Sequence, residues 1–172
     1  MFEIETKRLL LRKFRPGDED DAFEFCSDEQ CSLDDEGTHA FTEKNHDFLD
    51  LFTFFIEQNR YAIVLKSENK VIGIISLIEA ERAVPSYEIG FLMNRAYHRR
   101  GYCYEAAQAV ISEWFARTDT KMFLARHFPY NEASRNLLRK LGFTYEGTQH
   151  HAMNHAILGP VDLVCYYKEK EQ

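Results

Sequence analysis

The sequence predicts a mixed α/β fold, and three observations carry that reading. Seven short runs rich in leucine and β-branched residues, at residues 8–14, 61–66, 71–78, 86–93, 123–128, 143–149 and 161–168, are bounded by turn residues. Four stretches between them carry helix caps or apolar residues at helical spacing. The first half reads as a meander and the middle as a strand-helix-strand unit, which places a helix against a sheet in one mixed layer arrangement. The predicted order is β-α-α-β-β-β-α-β-α-β-β.

Taken in order, the first run (RLLLRKF) stops at the turn Arg15-Pro16-Gly17, and Asp18 offers a cap for a helix reaching about Ser27. A strongly acidic, loop-like segment follows. Thr42 offers the next cap, ahead of Phe48, Leu49, Phe52, Phe55 and Ile56 at helical spacing. The series reads as a face that packs on a sheet. Residues 61–66 and 71–78 are joined by Ser67-Glu68-Asn69-Lys70, a hairpin signal, and 86–93 is a third run of the same kind. From Cys103 the period changes to that of a helix through Ala107, Val110, Ile111 and Trp114, ending near Arg117. A strand at 123–128 precedes a compact helix at 131–141, which Gly142 closes from the left-handed C′ position. Two strands, 143–149 and 161–168, complete the chain.

Composition narrows the class. The chain has 172 residues, 45% hydrophobic and 14% aromatic, enough for one core and one domain over residues 1–172. With 28 acidic and 21 basic side chains the net charge is −7, which argues against a nucleic-acid surface spread over the protein. That charge is uneven: residues 18–57 hold 14 acids against the single base Lys44. The usual meaning is a solvated face, and the alternative is the lining of a site for a cationic ligand. No apolar run approaches the roughly 20 residues that cross a bilayer, and the start lacks a signal-peptide pattern, so no membrane partner and a cytoplasmic location are expected. Cys26, Cys31, Cys103 and Cys165 form no CxxC pair, which suits a reduced compartment.

Chemistry concentrates between the third β-branched run and the helix after it. Residues 93–103 hold Arg95, Arg99, Arg100 and His98 but no acid, with a glycine at 101. A glycine loop entering a helix start presents free backbone N–H groups and the positive end of the helix dipole, which together bind phosphate. The plainer alternative is a turn at Gly101 with solvated arginines. No GxxxxGK[ST], GxGxxG or GxSxG pattern is present.

The stretch Tyr87-Glu88-Ile89-Gly90-Phe91-Leu92, then HRRGYCYEA, then Asn131-Glu132-Ala133-Ser134-Arg135 and Lys140-Leu141-Gly142-Phe143, resembles the GNAT superfamily of N-acetyltransferases. The likeness spans essentially the whole chain. It is greatest for the branch that acetylates ribosomal-protein N-termini, whose opening and closing strands are similar to residues 5–12 and 159–164. The resemblance implies a GNAT-like acyl-CoA N-acyltransferase fold with acetyl-CoA as donor. Its thioester would lie between two splayed parallel strands, here 88–93 and 123–128, against Phe91, Leu92 and Met93. The phosphate loop matches His98, Arg99, Arg100, Gly101, Tyr102 and Cys103, with Tyr104 following. Of these, His98 stands where Gln or Arg is usual and Cys103 where Gly or Ala is usual. Asn131 and Ser134 match positions that meet the pantetheine arm or its thiol end.

By the same resemblance an N–H near Leu92 or Met93 would polarise the acetyl carbonyl, with no covalent enzyme intermediate. Glu88 is the candidate base. The family's tyrosine acid is replaced by Leu138, leaving Ser134 or Tyr130 to protonate the departing thiolate. An α-amine with pKa near 7.7–8.0 is already about 10–20% neutral at pH 7, whereas a lysine-like amine is below about 0.1%, so an α-amino acceptor needs little help. The leading acceptor is a protein or peptide N-terminal α-amine. A polyamine or aminoglycoside-like amine is the alternative, and an inactive CoA-binding regulatory module is the alternative of another class. No metal is expected: His150, His151 and His155 include an i, i+4 pair but lack a completing ligand. Cys103 at a helix start is a position where a thiol pKa can fall, though no base partner is evident. The protein is expected to be a monomer or homodimer.

Overall fold

The computed structural model describes residues 1–34, 39–58 and 60–171. Its strands are β1 (Ile4–Glu5), β2 (Leu9–Lys13), β3 (Arg60–Leu65), β4 (Lys70–Ala80), β5 (Ser86–Met93), β6 (Met122–His127), β7 (Thr144–His155) and β8 (Gly159–Glu169). The helices are α1 (Glu19–Cys26), α2 (Glu29–Asp34), α3 (His46–Glu57), α4 (Tyr102–Arg117) and α5 (Glu132–Lys140). All eight strands form one sheet in the order β1-β2-β3-β4-β5-β6-β8-β7. Neighbours are antiparallel except β5 and β6, which run parallel because α4 carries the chain back between them.

Strands β3 and β4 are near-continuous apolar runs because both faces of the sheet are covered. On one face Ile63, Ile72, Ile75 and Ile89 pack under Ala107, Val110, Ile111 and Trp114 of α4 and Leu138 of α5. On the other, Ala62, Val64 and Ile74 pack under Phe25 of α1 and Phe48, Phe52 and Phe55 of α3. The aromatic series of α3 is therefore core, except that Leu49, included in it by spacing, is 48% exposed.

Cap chemistry departs from the sequence reading at two places. Helix α3 begins at His46, where the Asn45 side chain accepts from Phe48 N at 3.1 Å, so Thr42 is not its cap. Asp18 precedes α1 but makes no cap bond, because its carboxylate is engaged with Arg12. At α5 the expected close holds, with Gly142 at φ +79°, while Asn131, placed inside the helix by the sequence, is its N-cap and accepts from Ser134 N at 2.9 Å. Two elements carried no readable signal. Strand β1 is two residues long, and α2 is a six-residue polar helix within the acidic segment, of which Asp35 and Glu36 lie outside the described residues. Among the described residues no helix is long and apolar enough to cross a membrane.

Candidate functional site

The site begins where β5 and β6 separate. Their parallel register is Ser86–Met122, Tyr87–Phe123 and Glu88–Leu124, and it stops there, although both strands continue. The second half of β5, Ile89 to Met93, stays paired only with β4. Asn94 N donates to Ile72 O at 2.9 Å. Because hydrogen-bonded pairs alternate along an antiparallel ladder, Leu92 also turns its amide to β4, opposite Ile74, while the amides of Phe91 and Met93 turn toward the gap. The position of β5 at this point is set by Gly73: a Cβ there would lie 2.5 Å from Leu92 O.

The chain leaves β5 through Asn94, whose side chain accepts from Ala96 N at 3.0 Å and donates to Glu24 Oε2 at 2.9 Å. A single 3-10 turn, Arg95–Tyr97, follows. His98 folds back and its Nε2 donates to Met93 O at 2.8 Å, with the Cys31 thiol 3.6 Å from the same carbonyl. Arg99 and Gly101 both have positive φ, +58° and +77°. Gly101 is the N-cap of the 16-residue α4 and offers no side chain, and the first bond into the helix runs from Glu105 N to Gly101 O at 3.0 Å. The amides of Tyr102, Cys103 and Tyr104 thus precede the ladder at the positive end of a long helix dipole, where an anion is best received.

The three arginines of the loop are not equivalent. Arg95 lies 3.5 Å from Asp28 and Arg100 lies over the Tyr97 ring at 5.5 Å, while Arg99 and Arg100 are both exposed. A fourth arginine joins them from β2's approach: Arg8 Nη1 donates to Arg100 O at 3.0 Å, and its guanidinium lies 4.4 Å over the Tyr102 ring. Glu105 holds Arg8 in place, accepting from Arg8 Nε at 2.6 Å, Arg8 N at 3.0 Å and Thr6 Oγ1 at 2.6 Å. Partial burial opposes the charge of Glu105, yet these bonds together hold its carboxyl below its ordinary pKa. An open hollow runs from Arg8 and Gly101 along α4 to Lys140, whose ammonium lies 4.3 Å over Tyr104.

Because β5 and β6 are parallel, the loop after each lies at the same end of the sheet. The loop after β6 therefore brings Asn131 and Ser134 to the end where residues 98–104 lie. Helix α2 spans the two: Leu33 O accepts from Tyr130 Oη at 2.8 Å, and Asp34 O accepts from Asn131 Nδ2 at 3.4 Å. Glu88 sits at the last paired position and its Oε1 accepts from Arg126 Nε at 2.8 Å. Ser134 is partly exposed in the first turn of α5. Tyr130 lies 3.2 Å from His155 Nε2, and burial, followed by Asp34, raises its pKa. Leu138 is fully buried in the core, so no group there can donate a proton.

Cys103 has no depressed pKa. Burial pushes its thiol up to about 12, so desolvation outweighs the helix dipole and the thiolate is not populated. The histidines are held apart on the hairpin of β7 and β8. His150 pairs with Asp162 at 2.9 Å, while the buried His155 accepts at Nδ1 from Ile157 N (3.1 Å) and Leu158 N (3.2 Å).

Two parts of this site were not evident in the sequence. Arg8 and Glu105 are 97 positions apart, and nothing local marks either. The other is a cavity of about 200 Å³ on the α1 and α3 side of the sheet, reached by Phe91 and Leu92 of the separated half of β5. Its residues come from seven segments, with aromatic side chains that look like ordinary core in sequence.

Comparison with known proteins gives a consistent result. The acetyltransferase (GNAT) domain family matches residues 8–144. The chain is 29% identical over 151 residues to the uncharacterized N-acetyltransferase YnaD of Bacillus subtilis, covering 84% of each chain. A solved GNAT-family acetyltransferase from Bacillus anthracis superposes with a TM-score of 0.89 at 27% identity, over 99% of this chain and 100% of that one. At 17% identity, a ribosomal alpha-N-protein acetyltransferase in complex with coenzyme A shares the fold, with a TM-score of 0.80 over 98% of both chains.

Proposed function

The chain belongs to the GNAT family of acetyltransferases, and from that premise we propose that it moves an acetyl group from acetyl-CoA to a peptide or protein N-terminal α-amine by direct attack. The observation that carries the reading is the parting of β5 and β6 after Glu88–Leu124, which leaves a gap flanked by unpaired backbone. The thioester lies in that gap. The pyrophosphate meets the amides of Tyr102, Cys103 and Tyr104, with Arg99, Arg100 and Arg8 supplying positive charge. His98 acts through Met93 O, so its departure from the usual residue costs no phosphate contact. Cys103 likewise contributes its amide. Asn131 and Ser134 meet the pantetheine end, and the adenosine end follows the hollow toward Lys140.

In the reaction the neutral amine nitrogen attacks the carbonyl carbon, and the oxygen gains charge against the amide of Met93, which is fixed before the reaction begins. The amide of Leu92 faces β4, so its part is played by the side chain at the cavity wall. Glu88, one oxygen on Arg126, takes the amine proton directly or through water. The C–S bond then breaks and the thiolate takes a proton from the Ser134 hydroxyl as that hydroxyl takes one from water, while Glu88 returns the amine proton to solvent, leaving CoA and the acetylated amine. The work belongs in a reducing cytoplasm, a reading supported by four dispersed free thiols.

Two measurements test this. Acetyl-CoA at 100 times its Kd should add about 2.7 kcal/mol, which for a chain of this size raises Tm by about 5–10 °C. No shift in a thermal melt removes the donor assignment. Glu88→Gln keeps the size and the Arg126 contact while removing the base. It should lower kcat/KM about 10- to 100-fold and flatten its pH dependence, and an unchanged profile removes Glu88 from the proton path.

A further inference from the structure

Resting on the acyl-transfer reading above, we propose that the cavity beside β5 receives a single bulky apolar or aromatic side chain borne by the acceptor next to its amine, and that Arg60, already stacked on two of its rings, closes those ring faces to a cationic acceptor. Three observations support this. The cavity is walled by the rings of Phe25, Phe41, Phe54 and Phe55 and by the Leu92 side chain, in the half of β5 that has left β6, beside the place of the acetyl carbonyl. An amine at that carbonyl has its own substituent directed at the aromatic wall.

Size selects next. The cavity measures about 200 Å³. An engineered protein cavity of about 150 Å³ holds one benzene, whereas pockets for drug-sized ligands begin near 300 Å³. One phenyl or isobutyl group with its methylene fits, and a multi-ring aminoglycoside does not. An alanine or serine side chain leaves most of the space empty, forgoing burial that contributes about 25 cal/mol per Å².

Charge decides the rest. No acidic side chain among the described residues lines the cavity, although residues 18–57 are rich in acids. Four of those acids pair elsewhere: Asp18 with Arg12, Asp21 and Glu24 with Lys70, and Asp28 with Arg95. The cation at the cavity is Arg60, whose guanidinium lies 4.8 Å over the Phe54 ring and 5.4 Å over the Phe55 ring. The ring faces of Phe54 and Phe55 are thus already met by a cation and are not open to a cation–π contact with an ammonium group. Among the described residues the acidic segment offers no carboxylate to a polyamine in this cavity.

The test is thiol release from acetyl-CoA with peptides that differ only in their first residue (Phe, Leu, Ala, Ser or Lys), alongside phenethylamine and spermidine. Phe-first and Leu-first peptides should exceed Ala-first in kcat/KM by at least about tenfold, with Lys-first below all of them. Leu51→Trp, which fills the cavity, should bring the Phe-to-Ala ratio near 1. Phe54→Ala, at an exposed wall position, should lower it about fivefold if the tryptophan variant does not fold. Ala-first or Ser-first peptides preferred over Phe-first would overturn the pocket assignment and leave the peptide-acceptor reading standing. Turnover of phenethylamine without any peptide would remove that reading and keep the pocket. Preference for spermidine or the Lys-first peptide overturns the role given to Arg60, the more firmly if Arg60→Gln leaves the preference unchanged.

Discussion

Gly101→Val is expected to weaken acetyl-CoA binding about 10- to 100-fold while leaving kcat nearly unchanged. The backbone at Gly101 has φ +77°, a region that costs an ordinary L-residue about 1–2 kcal/mol and a β-branched one more. Space is not the obstacle, since a Cβ there would come no closer than 3.6 Å to Arg8 Nη2. The valine loop therefore relaxes when empty, turning away the amides of Tyr102 to Tyr104, and must regain the strained geometry to hold the donor. The loss is bounded by that strain, because a loop that can be forced back gives up no more than the cost of forcing it. At 1.4 kcal/mol per tenfold, about 1.5–3 kcal/mol corresponds to the stated range. Titration calorimetry measures it directly. Asn tolerates the left-handed region, so Gly101→Asn should recover most of the affinity. An unchanged Kd in the valine variant would mean that these amides do not hold the phosphates.

Removing one partner of the Arg12–Asp18 pair should have the largest effect on stability. Both side chains are almost fully buried, at 7% and 8% exposure, and the contact is bidentate at 2.7 and 2.9 Å. Arg12 also donates to Lys13 O at 2.9 Å, and Asp18 accepts from Arg15 N at 3.0 Å. Asp18→Ala leaves a guanidinium buried without its counter-ion, which costs about 3–5 kcal/mol. For a chain of this length that is a fall in Tm of about 10 °C, read equally from the urea midpoint. The double variant Arg12→Met with Asp18→Leu should restore most of the loss, since a buried pair is worth little more than a well-packed apolar one. If the double variant is as unstable as the single, the pair contributes more than its desolvation costs, and the argument from burial fails.

Much of this fold was legible because its signals are local. The seven runs became strands, the α4 and α5 periods became helices, and the α/β order was right, since each depends on residues within a few positions of one another. The misreadings are also physical. Asp18 looks like a cap until Arg12 takes its carboxylate, and a cap bond cannot compete with a buried bidentate pair. Thr42 lost to Asn45 because both suit the role and only the packing of Phe48 decides where the helix starts. At the site, Gly101 and the residues around it were visible as a basic glycine loop. The Arg8–Glu105 contact was not, because it closes a span of 97 residues and neither residue has an unusual neighbour.

By itself the sequence determined that this chain folds as an α/β protein with an anion-binding loop after one strand and a capped helix after the next. These follow from period, cap chemistry and a glycine in a turn, all of which act over one or two turns of chain. Only the tertiary structure decided that β5 and β6 part after Glu88, that Asp18, Asp21, Glu24 and Asp28 pair with Arg12, Lys70 and Arg95, and that a small aromatic cavity opens beside the gap. Strand separation and charge pairing depend on which distant segments meet. The net charge of a segment says nothing about where its side chains point once partners of opposite sign arrive from elsewhere in the fold.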